Sequence, residues 1–306
     1  MDDKLPCEFA PLISVVMPVY NSATYLYEAI ESVLSQTLSD FELIIIYDES
    51  NDGSISIINQ FQRNDSRVKL IYGNNERLIG ALNQGVDVAR GKFIARMDAD
   101  DISLPERFEK QVQLMESAGA DICGCHFVVI GQSGMPFSAK TVPLTRSAFI
   151  IYLACTVPFA HGSVMMRTSF VKKHALKYNK NICSAEDYDL WINFFENNAV
   201  FVNVDLFLFK YRETSDSLSK IMSKETAIYT NNLRKGYLLR NQVAFLEAVN
   251  DLIKCYERLS LDERKFLLIS SYLAFINLRT LVFFNVMRRS SPVSIALFIF
   301  NWLKGI

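Results

Sequence analysis

The sequence has few of the features that mark zinc-binding or exported proteins. Its six cysteines are Cys7, Cys123, Cys125, Cys155, Cys183 and Cys255. They show no zinc-finger spacing, so we expect buried, reduced thiols in a cytosolic protein. The amino terminus is acidic and lacks a positively charged segment followed by an apolar one, so export is not predicted.

Net charge is also low, but the two ends of the chain differ. Residues 1–216 carry 19 Lys and Arg against 27 Asp and Glu, whereas residues 217–306 carry 13 against 6. An acidic first part is suited to metal binding, and a basic, apolar tail is suited to an anionic surface such as a membrane. Nucleic acid is not predicted as a partner, because the basic residues are mixed with Phe, Leu and Ile rather than gathered in a polar patch.

The tail contains no apolar run that matches a transmembrane helix. Its longest uncharged stretches are Phe266–Leu278 and Ser290–Leu303, both shorter than the roughly 20 residues a spanning helix needs. One hypothesis is amphipathic helices at a membrane interface, with basic residues facing anionic lipid: Arg279, Arg288, Arg289 and Lys304. The alternative is a helical bundle that packs on the rest of the chain or forms a dimer.

What the sequence does contain is an alternation of buried strands and amphipathic helices. Half of its residues are hydrophobic, enough for a large core. The pattern predicts a first strand in the apolar run 13–20, which Pro18 breaks and which ends in a loop, and further strands at 41–47, 68–72 and 93–96. Helices are predicted at about 23–36, 54–64 and 82–89. Later elements are helices at 105–118, 146–155 and 186–197 and strands at 121–130, 162–166, 200–204 and 206–211. We therefore expect an α/β fold, with a mainly parallel sheet flanked by helices.

An acidic turn follows the fourth predicted strand. Asp98, Asp100 and Asp101 come directly after the apolar run 92–95, at the strand end where open α/β sheets bind ligands. Asp98 and Asp100 lie two residues apart, so they can share one divalent cation. An acidic loop with a helix-capping Asp would explain the turn equally well if it stood alone.

Four stretches together resemble one family. They are Ser14–Asn21 with the following helix 29–37, Asp48–Ser54, Ala89–Asp101, and Ala185–Trp191 preceded by His161–Arg167. In this order and spacing they resemble the inverting family 2 glycosyltransferases of the GT-A (nucleotide-diphospho-sugar transferase) fold. The resemblance covers about residues 11–215. It implies a GT-A catalytic domain at 1–216, with a donor-binding half at about 11–104 and an acceptor half at about 105–216. Residues 217–306 would then be a helical, basic and apolar extension.

The resemblance also assigns the donor side of the site. Asp100 would hold a divalent metal on the donor diphosphate, with Asp98 toward the ribose or the metal. Hard oxygen ligands without His or Cys favour Mn²⁺ or Mg²⁺. Pro18, Tyr20 and Asp48 would border the nucleobase, although Asp48 can also be explained as a turn-forming residue.

Inversion requires a base that takes the proton of the acceptor hydroxyl, and the resemblance places it at Asp187. Glu186 could contact the acceptor; simple helix N-terminal charge is the alternative for this acidic pair. His161 could line the sugar or acceptor pocket, or be a hydrogen-bonded core histidine.

Three departures from the family pattern affect donor recognition. The usual pair of acidic residues after the second strand is Tyr47-Asp48 here, so only one acidic residue remains. An Arg that commonly precedes Asn83 is replaced by Leu82. Where relatives place a His that binds metal or phosphate, the chain has Glu213-Thr214, so we expect Arg212 to meet the diphosphate instead.

The functional hypothesis is transfer of a hexose or N-acetylhexosamine from a nucleotide sugar, with UDP expected, to a glycan hydroxyl. The acceptor implied by the resemblance is a lipid-diphosphate-linked O-antigen or capsule intermediate, and the enzyme is expected at the inner face of the cytoplasmic membrane as a peripheral protein. The sequence is compatible with a monomer and with an oligomer. Nucleotidyltransfer to a sugar phosphate is disfavoured, because Pro18–Asn21 offers neither Gly nor Lys for a phosphate loop. The remaining alternative is an inactive scaffold that binds a nucleotide sugar without turnover.

Overall fold

The first half of the chain alternates strands and helices as its hydrophobic pattern predicts. A computed structural model describes residues 10–74, 76–182, 185–214, 224–259, 261–278 and 286–287. The strands are β1 (Ile13–Val19), β2 (Phe41–Tyr47), β3 (Val68–Tyr72) and β4 (Phe93–Arg96), and the helices between them are α1 (Ala23–Leu34), α2 (Ser54–Asn64) and α3 (Arg77–Val88). Helix α2 begins after Gly53, whose φ of 90° is a left-handed conformation that favours glycine.

The second half is more varied. It contains β5 (Ile102–Ser103), α4 (Arg107–Ala118), β6 (Ile122–Ile130), β7 (Pro136–Lys140), α5 (Arg146–Leu153), a 3₁₀ turn (His161–Ser163), β8 (Met165–Arg167), α6 (Thr168–Lys173), α7 (Glu186–Glu196) and β9 (Phe201–Arg212). Helices α8 (Lys224–Arg240), α9 (Gln242–Lys254) and α10 (Leu261–Leu278) follow, with a 3₁₀ turn (Tyr256–Arg258) after α9.

One nine-stranded sheet runs through the molecule in the order β3-β2-β1-β4-β8-β6-β9-β5, and β7 pairs with β6. Strands β1 to β4 are mutually parallel, as are β6 and β9, whereas β8 is antiparallel to β4 and β6. Strand β1 therefore has β2 on one side and β4 on the other. The chain reverses its direction of progress along the sheet at β1, and such switch points leave a crevice at the carboxyl ends of the strands.

Several predicted elements differ from the structure. Helix α3 begins at Arg77, whereas the prediction began it at 82. Strand β1 continues through Pro18 to Val19. The peptide nitrogen of Pro18 faces the β4 side, and the β1–β4 pairing has already ended at Val16, so no ladder hydrogen bond is lost. The predicted strand at 162–166 is a 3₁₀ turn followed by β8. The two strands predicted at 200–211 are one strand, β9, whose pairing with β6 shifts register near His126.

The described part of the tail shares a core with the sheet domain. Tyr237 on α8 donates to the Ile150 carbonyl over 3.1 Å, and the rings of Tyr152 and Phe266 lie 4.4 Å apart. Phe245 is buried in the same cluster as α5 and α7 side chains. The packing alternative for the tail thus describes helices α8–α10. None of the helices in the described ranges is both long and apolar enough to cross a bilayer. The basic residues expected to face lipid, Arg279, Arg288, Arg289 and Lys304, lie outside the described residues.

The described cysteines are free thiols, as expected. Cys123, Cys125 and Cys155 are buried, and Cys255 is half-buried. Burial raises the pKa of Cys125 to about 11, so this thiol stays protonated and unreactive at neutral pH. Cys7 and Cys183 lie outside the described residues.

Candidate active site

The acidic turn after β4 brings three carboxylates together. One carboxylate oxygen from each of Asp98, Asp100 and Asp101 lies within 4.8 Å of the other two. Asp98 and Asp100 are half-buried, whereas Asp101 is only 1% exposed. The sequence predicted a cation site from Asp98 and Asp100, and the structure adds Asp101 as a third candidate ligand.

The 3₁₀ turn lies directly against these carboxylates. A Cβ atom at Gly162 would lie 2.8 Å from Asp101 Oδ2 and 3.1 Å from Asp98 Oδ2. Real Cβ atoms essentially never approach other atoms more closely than 3.0 Å. A glycine at this position therefore allows the turn to pack close to the acidic cluster.

Arg212 fixes the acidic turn by hydrogen bonds to Asp100 and Asp101. Its backbone N–H donates to Asp101 Oδ1 over 2.7 Å, and its Nε donates to the Asp100 carbonyl over 2.7 Å. The rest of the guanidinium donates to Glu28 and to the carbonyls of residues 131 and 132. The expectation that Arg212 meets the donor diphosphate is therefore wrong, because this side chain is buried and its guanidinium is bonded to the protein.

The donor set fits a divalent metal. Burial raises the pKa of Asp101, and the neighbouring charge of Asp100 raises it further. Burial likewise raises the pKa of Asp100. Asp101 Oδ2 is buried and has no hydrogen-bond partner among the described residues. A cation would satisfy this oxygen and relieve the repulsion, and oxygen ligands of this kind suit Mn²⁺ or Mg²⁺.

The acidic pair predicted on the acceptor side begins α7. Ala185 precedes it with a φ of 63°, and the Tyr188 N–H donates to Asp187 Oδ1 over 2.7 Å. Burial raises the pKa of Asp187 to about 7, and the charge of Glu186 raises it as well. Arg96 and the Tyr188 hydrogen bond act in the opposite direction. A carboxylate with a pKa near neutrality can take up and release a proton at physiological pH, as a general base must.

Arg96, the last residue of β4, lies beside the acidic cluster, and its charge also acts on Glu186 and Asp187. It forms an ion pair with Asp98 and is 3% exposed. Burial lowers its pKa, while the charges of Asp101, Asp100 and Glu186 are among those that raise it. Sequence reasoning did not single out Arg96; the available signal was a charged residue inside an apolar strand.

His161 and Tyr178 form a second connection within the site. Their Nε2 and hydroxyl groups are hydrogen-bonded over 2.8 Å. Burial, with the charge of Arg96, lowers the pKa of His161 well below its ordinary value, so the imidazole is neutral. Both hypotheses for His161 therefore keep support, since it is a hydrogen-bonded, half-buried histidine beside the residues assigned to catalysis.

Asn83 on α3 fixes Tyr178 through the backbone. Its side chain accepts from the Tyr178 N–H over 2.9 Å and donates to the Tyr178 carbonyl over 2.8 Å. In the sequence, Asn83 stands out only because it lacks the arginine neighbour that is usual in the family. The partner could not be predicted, because it lies 95 residues away in sequence.

The predicted nucleobase residues lie at the carboxyl ends of adjacent strands β1 and β2. Pro18 is buried within β1, Tyr20 is 64% exposed, and Asp48 is 7% exposed. A Cβ atom at Gly73 would lie 2.0 Å from Asp48 Oδ1, so this carboxylate packs against a glycine. Asp52, in the loop after β2, accepts from the Ala23 N–H over 2.8 Å and joins this loop to the start of α1.

The fold and the acidic site define a glycosyltransferase of the GT-A fold. Residues 14–174 match the model of the family described as "Glycosyl transferase family 2", and the chain belongs to that family.

Two curated relatives show how far the similarity extends. The chain is 37% identical over 221 residues to "Putative glycosyltransferase EpsE" of Bacillus subtilis, covering 69% of this chain and 76% of that protein. It is 32% identical over 251 residues to "O-antigen biosynthesis glycosyltransferase WbnJ" of Escherichia coli, covering 79% of this chain and 96% of that protein. The similarity to WbnJ thus extends beyond the family match into the tail.

Solved structures support the fold. The structure of S. aureus TarS 1-349 with UDP aligns with a TM-score of 0.62 at 17% identity, covering 95% of this chain and 88% of that one. The mannosyltransferase PcManGT of Pyrobaculum calidifontis, solved with GDP-Man and Mn²⁺, aligns with a TM-score of 0.54 at 13% identity, covering 96% of this chain and 88% of that one.

Proposed function

We propose that this glycosyltransferase moves a hexose or N-acetylhexosamine from a nucleotide sugar to a glycan hydroxyl, with inversion at the anomeric carbon. The observation that carries the proposal is the cluster of Asp98, Asp100 and Asp101, together with the buried Asp187 beside Glu186 at the start of α7. One group is suited to neutralising a leaving diphosphate, and the other contains a base with a pKa near 7.

In the proposed mechanism, Asp187 accepts the proton of the acceptor hydroxyl as its oxygen attacks the anomeric carbon. The bond between that carbon and the diphosphate oxygen breaks on the opposite face, and the nucleoside diphosphate leaves with the bonding electrons. Glu186 contacts the acceptor, and His161 lines the sugar pocket. When Mn²⁺ or Mg²⁺ is bound at Asp98, Asp100 and Asp101, it neutralises charge on the diphosphate.

We propose UDP as the nucleotide, with Pro18, Tyr20 and Asp48 around its base. TarS is described in complexes with UDP and UDP-GlcNAc, and PcManGT with GDP-Man, so nucleotide sugars occupy this fold in both neighbours. The matched relative WbnJ is named for O-antigen biosynthesis, which supports a lipid-linked polysaccharide intermediate as the acceptor. The catalytic domain would span residues 1–216, and the extension at 217–306 would bring it to the inner face of the cytoplasmic membrane.

A panel of nucleotide sugars tests the proposal. Purified protein is incubated with Mn²⁺ and each donor, with and without a membrane extract that supplies lipid-linked acceptors, and release of nucleoside diphosphate is measured. We expect release from one donor, and its loss on addition of EDTA. Release from no donor would overturn the proposal in favour of an inactive nucleotide-sugar-binding scaffold. Release that is unaffected by EDTA would overturn the proposed requirement for a divalent metal.

A further inference from the structure

Strand β7 lies at an edge of the sheet, where it pairs with β6 alone among the described residues. We call residues 132–146 the edge segment; it runs from the turn before β7 to the start of α5. Within it, Met135 is 69% exposed, Phe137 is 61% exposed, and Leu144 is also exposed. Single exposed apolar side chains are common on soluble proteins, but three along one edge indicate a contact surface.

The edge segment belongs to a stretch of sequence that has no acidic residues. Residues 122–185 contain no Asp or Glu, although residues 1–216 as a whole contain 27. The same stretch carries seven basic residues: Lys140, Arg146, Arg167, Lys172, Lys173, Lys177 and Lys180. Within an otherwise acidic domain, this stretch is therefore positively charged and suited to an anionic partner.

Two of these cations lie in the edge segment itself. Lys140 ends β7 and Arg146 begins α5; both are exposed, and neither forms an ion pair with any of the described residues. Asp251, which bonds Ser147 next to Arg146, is paired with Lys254. Three other cations of the stretch are paired with carboxylates: Arg167 with Glu116, Lys177 with Asp87, and Lys180 with Glu76. Unpaired cations beside exposed apolar side chains match an anionic bilayer, which attracts the former and takes up the latter.

A second copy of the chain suits this edge less well. Extending a sheet requires a regular row of free backbone N–H and C=O groups. Pro136, the first residue of β7, has no N–H, and the β6–β7 register shifts between Val129 and Ile130. Two copies meeting at this edge would also bring like charges together.

Arg212 connects the edge segment to the acidic turn. Its Nη1 donates to the carbonyls of Gly131 and Gln132, and its Nε donates to the Asp100 carbonyl. One guanidinium group therefore separates the start of the edge segment from the acidic turn. A bilayer in contact with this segment would lie beside the site to which a lipid-linked acceptor must bring its hydroxyl.

We infer that the edge segment docks on the surface of an anionic bilayer. Met135 and Phe137 enter the headgroup region, and Lys140 and Arg146 face the anionic headgroups. The choice of a bilayer rests on the proposed function, since a lipid-linked acceptor requires the site to reach a membrane. Docking here adds a contact next to the site to the one proposed for residues 217–306, and it turns the site toward the acceptor.

The test measures vesicle binding by the full chain and by a double variant, Met135→Ser with Phe137→Ser. Both side chains are exposed, so the variant should fold and keep the wild-type melting temperature. Cosedimentation with phosphatidylglycerol vesicles measures binding, and phosphatidylcholine vesicles are the reference. We expect the double variant to bind phosphatidylglycerol vesicles about tenfold more weakly, because two apolar side chains no longer leave water. Lys140→Gln with Arg146→Gln should lower the preference for phosphatidylglycerol about tenfold.

A matched control and a contact measurement accompany the test. Val88→Ser with Val200→Ser also removes two exposed apolar side chains, but outside the edge segment, and should bind vesicles as the wild type does. Phe137→Trp reports contact directly. Phosphatidylglycerol brominated on its acyl chains should quench the emission of this variant more strongly than that of the wild type, which contains Trp191 and Trp302.

The outcomes distinguish the inference from the proposed function. Wild-type binding by the double variant, no added quenching in Phe137→Trp, or no binding of the wild type to phosphatidylglycerol vesicles would each overturn the inference. A wild-type dimer that becomes monomeric in the double variant, with vesicle binding unchanged, would make the edge an interface between copies and also overturn it. Release from no donor, together with the expected vesicle results, would overturn the proposed function and support the docking surface.

Discussion

At the scale of single residues, the strongest test of the mechanism is Asp187→Asn. This change removes the proposed base but keeps the size of the side chain and an oxygen that accepts from the Tyr188 N–H. We expect transfer to fall about a thousandfold, within the range for general base catalysis, while donor affinity changes less than about twofold. Steady-state transfer kinetics and donor calorimetry give the two numbers.

Asp189→Asn is the matched control on the same helix. Asp189 is half-buried, and its carboxylate accepts from Asn193 over 3.3 Å. This variant should retain turnover within about threefold, as expected for a residue that does not touch the reacting groups. Near-normal turnover of Asp187→Asn would show that the base lies elsewhere.

The pKa of Asp187 predicts how activity depends on pH. Only the ionised carboxylate can accept a proton, and burial with the charge of Glu186 raises its pKa to about 7. Its ionised fraction, and with it kcat, should therefore rise about tenfold between about pH 6 and pH 8. Removing the neighbouring negative charge in Glu186→Gln should move this rise to lower pH. A wild-type kcat that is constant over this range would contradict the assignment.

Gly162 offers a test of the acidic cluster that leaves its ligands in place. In Gly162→Ala, the new Cβ would lie 2.7 Å from the Phe209 ring and 2.8 Å from Asp101 Oδ2, so the turn, the ring or the carboxylates must shift. We expect affinity for Mn²⁺, measured by electron paramagnetic resonance, to fall about tenfold, equivalent to about 1.4 kcal/mol. Gly131→Ala is the control, since the nearest atom to its Cβ would be 3.9 Å away. Unchanged Mn²⁺ affinity in Gly162→Ala would argue against a metal at this cluster.

At the scale of elements, a segment between α6 and α7 is attached to α3. We call residues 176–182 the connecting segment. Asn83 bonds Tyr178 within it, and ion pairs join Lys177 to Asp87 and Lys180 to Glu76. Because Tyr178 also bonds His161, the connecting segment couples the position of α3 to the site.

Asn83→Ala tests that coupling. The variant leaves the buried Tyr178 N–H and carbonyl without their partner, which should cost about 1–3 kcal/mol in the free energy of unfolding. We also expect kcat to fall, because His161 loses a fixed partner. Lys177→Ala breaks only an exposed ion pair on the same segment and should cost at most about 1 kcal/mol. Urea unfolding measures the loss of stability, and transfer assays measure kcat. Equal losses in the two variants would show that the buried hydrogen bonds of Asn83 to Tyr178 matter no more than the exposed ion pair.

The elements that sequence could predict are those governed by local pattern. Helix α2 and strand β4 have the predicted bounds, because a left-handed glycine, an apolar run and helical spacing are all local signals. Strand β9 was predicted as two strands separated at Asp205, and the structure shows residues 205–207 exposed within one continuous strand. These exposed residues coincide with the register shift against β6, and register depends on tertiary pairing.

The same distinction applies to the site. Asp98 and Asp100 could be predicted because neighbours in sequence remain neighbours in space. The hydrogen bond from the Arg212 N–H to the Asp101 carboxylate joins residues that are 111 positions apart in sequence. The hydrogen bonds between Asn83 and Tyr178 likewise depend on tertiary contacts. Candidate ligands and a candidate base can therefore be predicted from the sequence, but the residues that hold them in position cannot.

At the scale of the whole molecule, the helices after the sheet domain are part of its core. Tyr237, Phe245 and Leu267 are all fully buried in one cluster with side chains of α5 and α7. Deleting residues 217–306 would expose that apolar face, and burial of each such side chain contributes about 1.5–3 kcal/mol. A deletion would thus confound loss of folding with loss of any membrane contact.

The membrane hypothesis is therefore better tested in the full chain, by changing charge alone. Replacing Arg279, Arg288, Arg289 and Lys304 with Gln removes four positive charges from the tail. Basic groups near an anionic surface contribute about 1 kcal/mol each, so we expect binding to phosphatidylglycerol vesicles to fall at least about tenfold, with nucleotide-sugar turnover on a soluble acceptor unchanged. Cosedimentation measures binding, and vesicles of neutral phosphatidylcholine are the reference. If the wild type binds both vesicles equally, or if the variant binds anionic vesicles as well as the wild type does, these basic residues do not dock the enzyme on lipid.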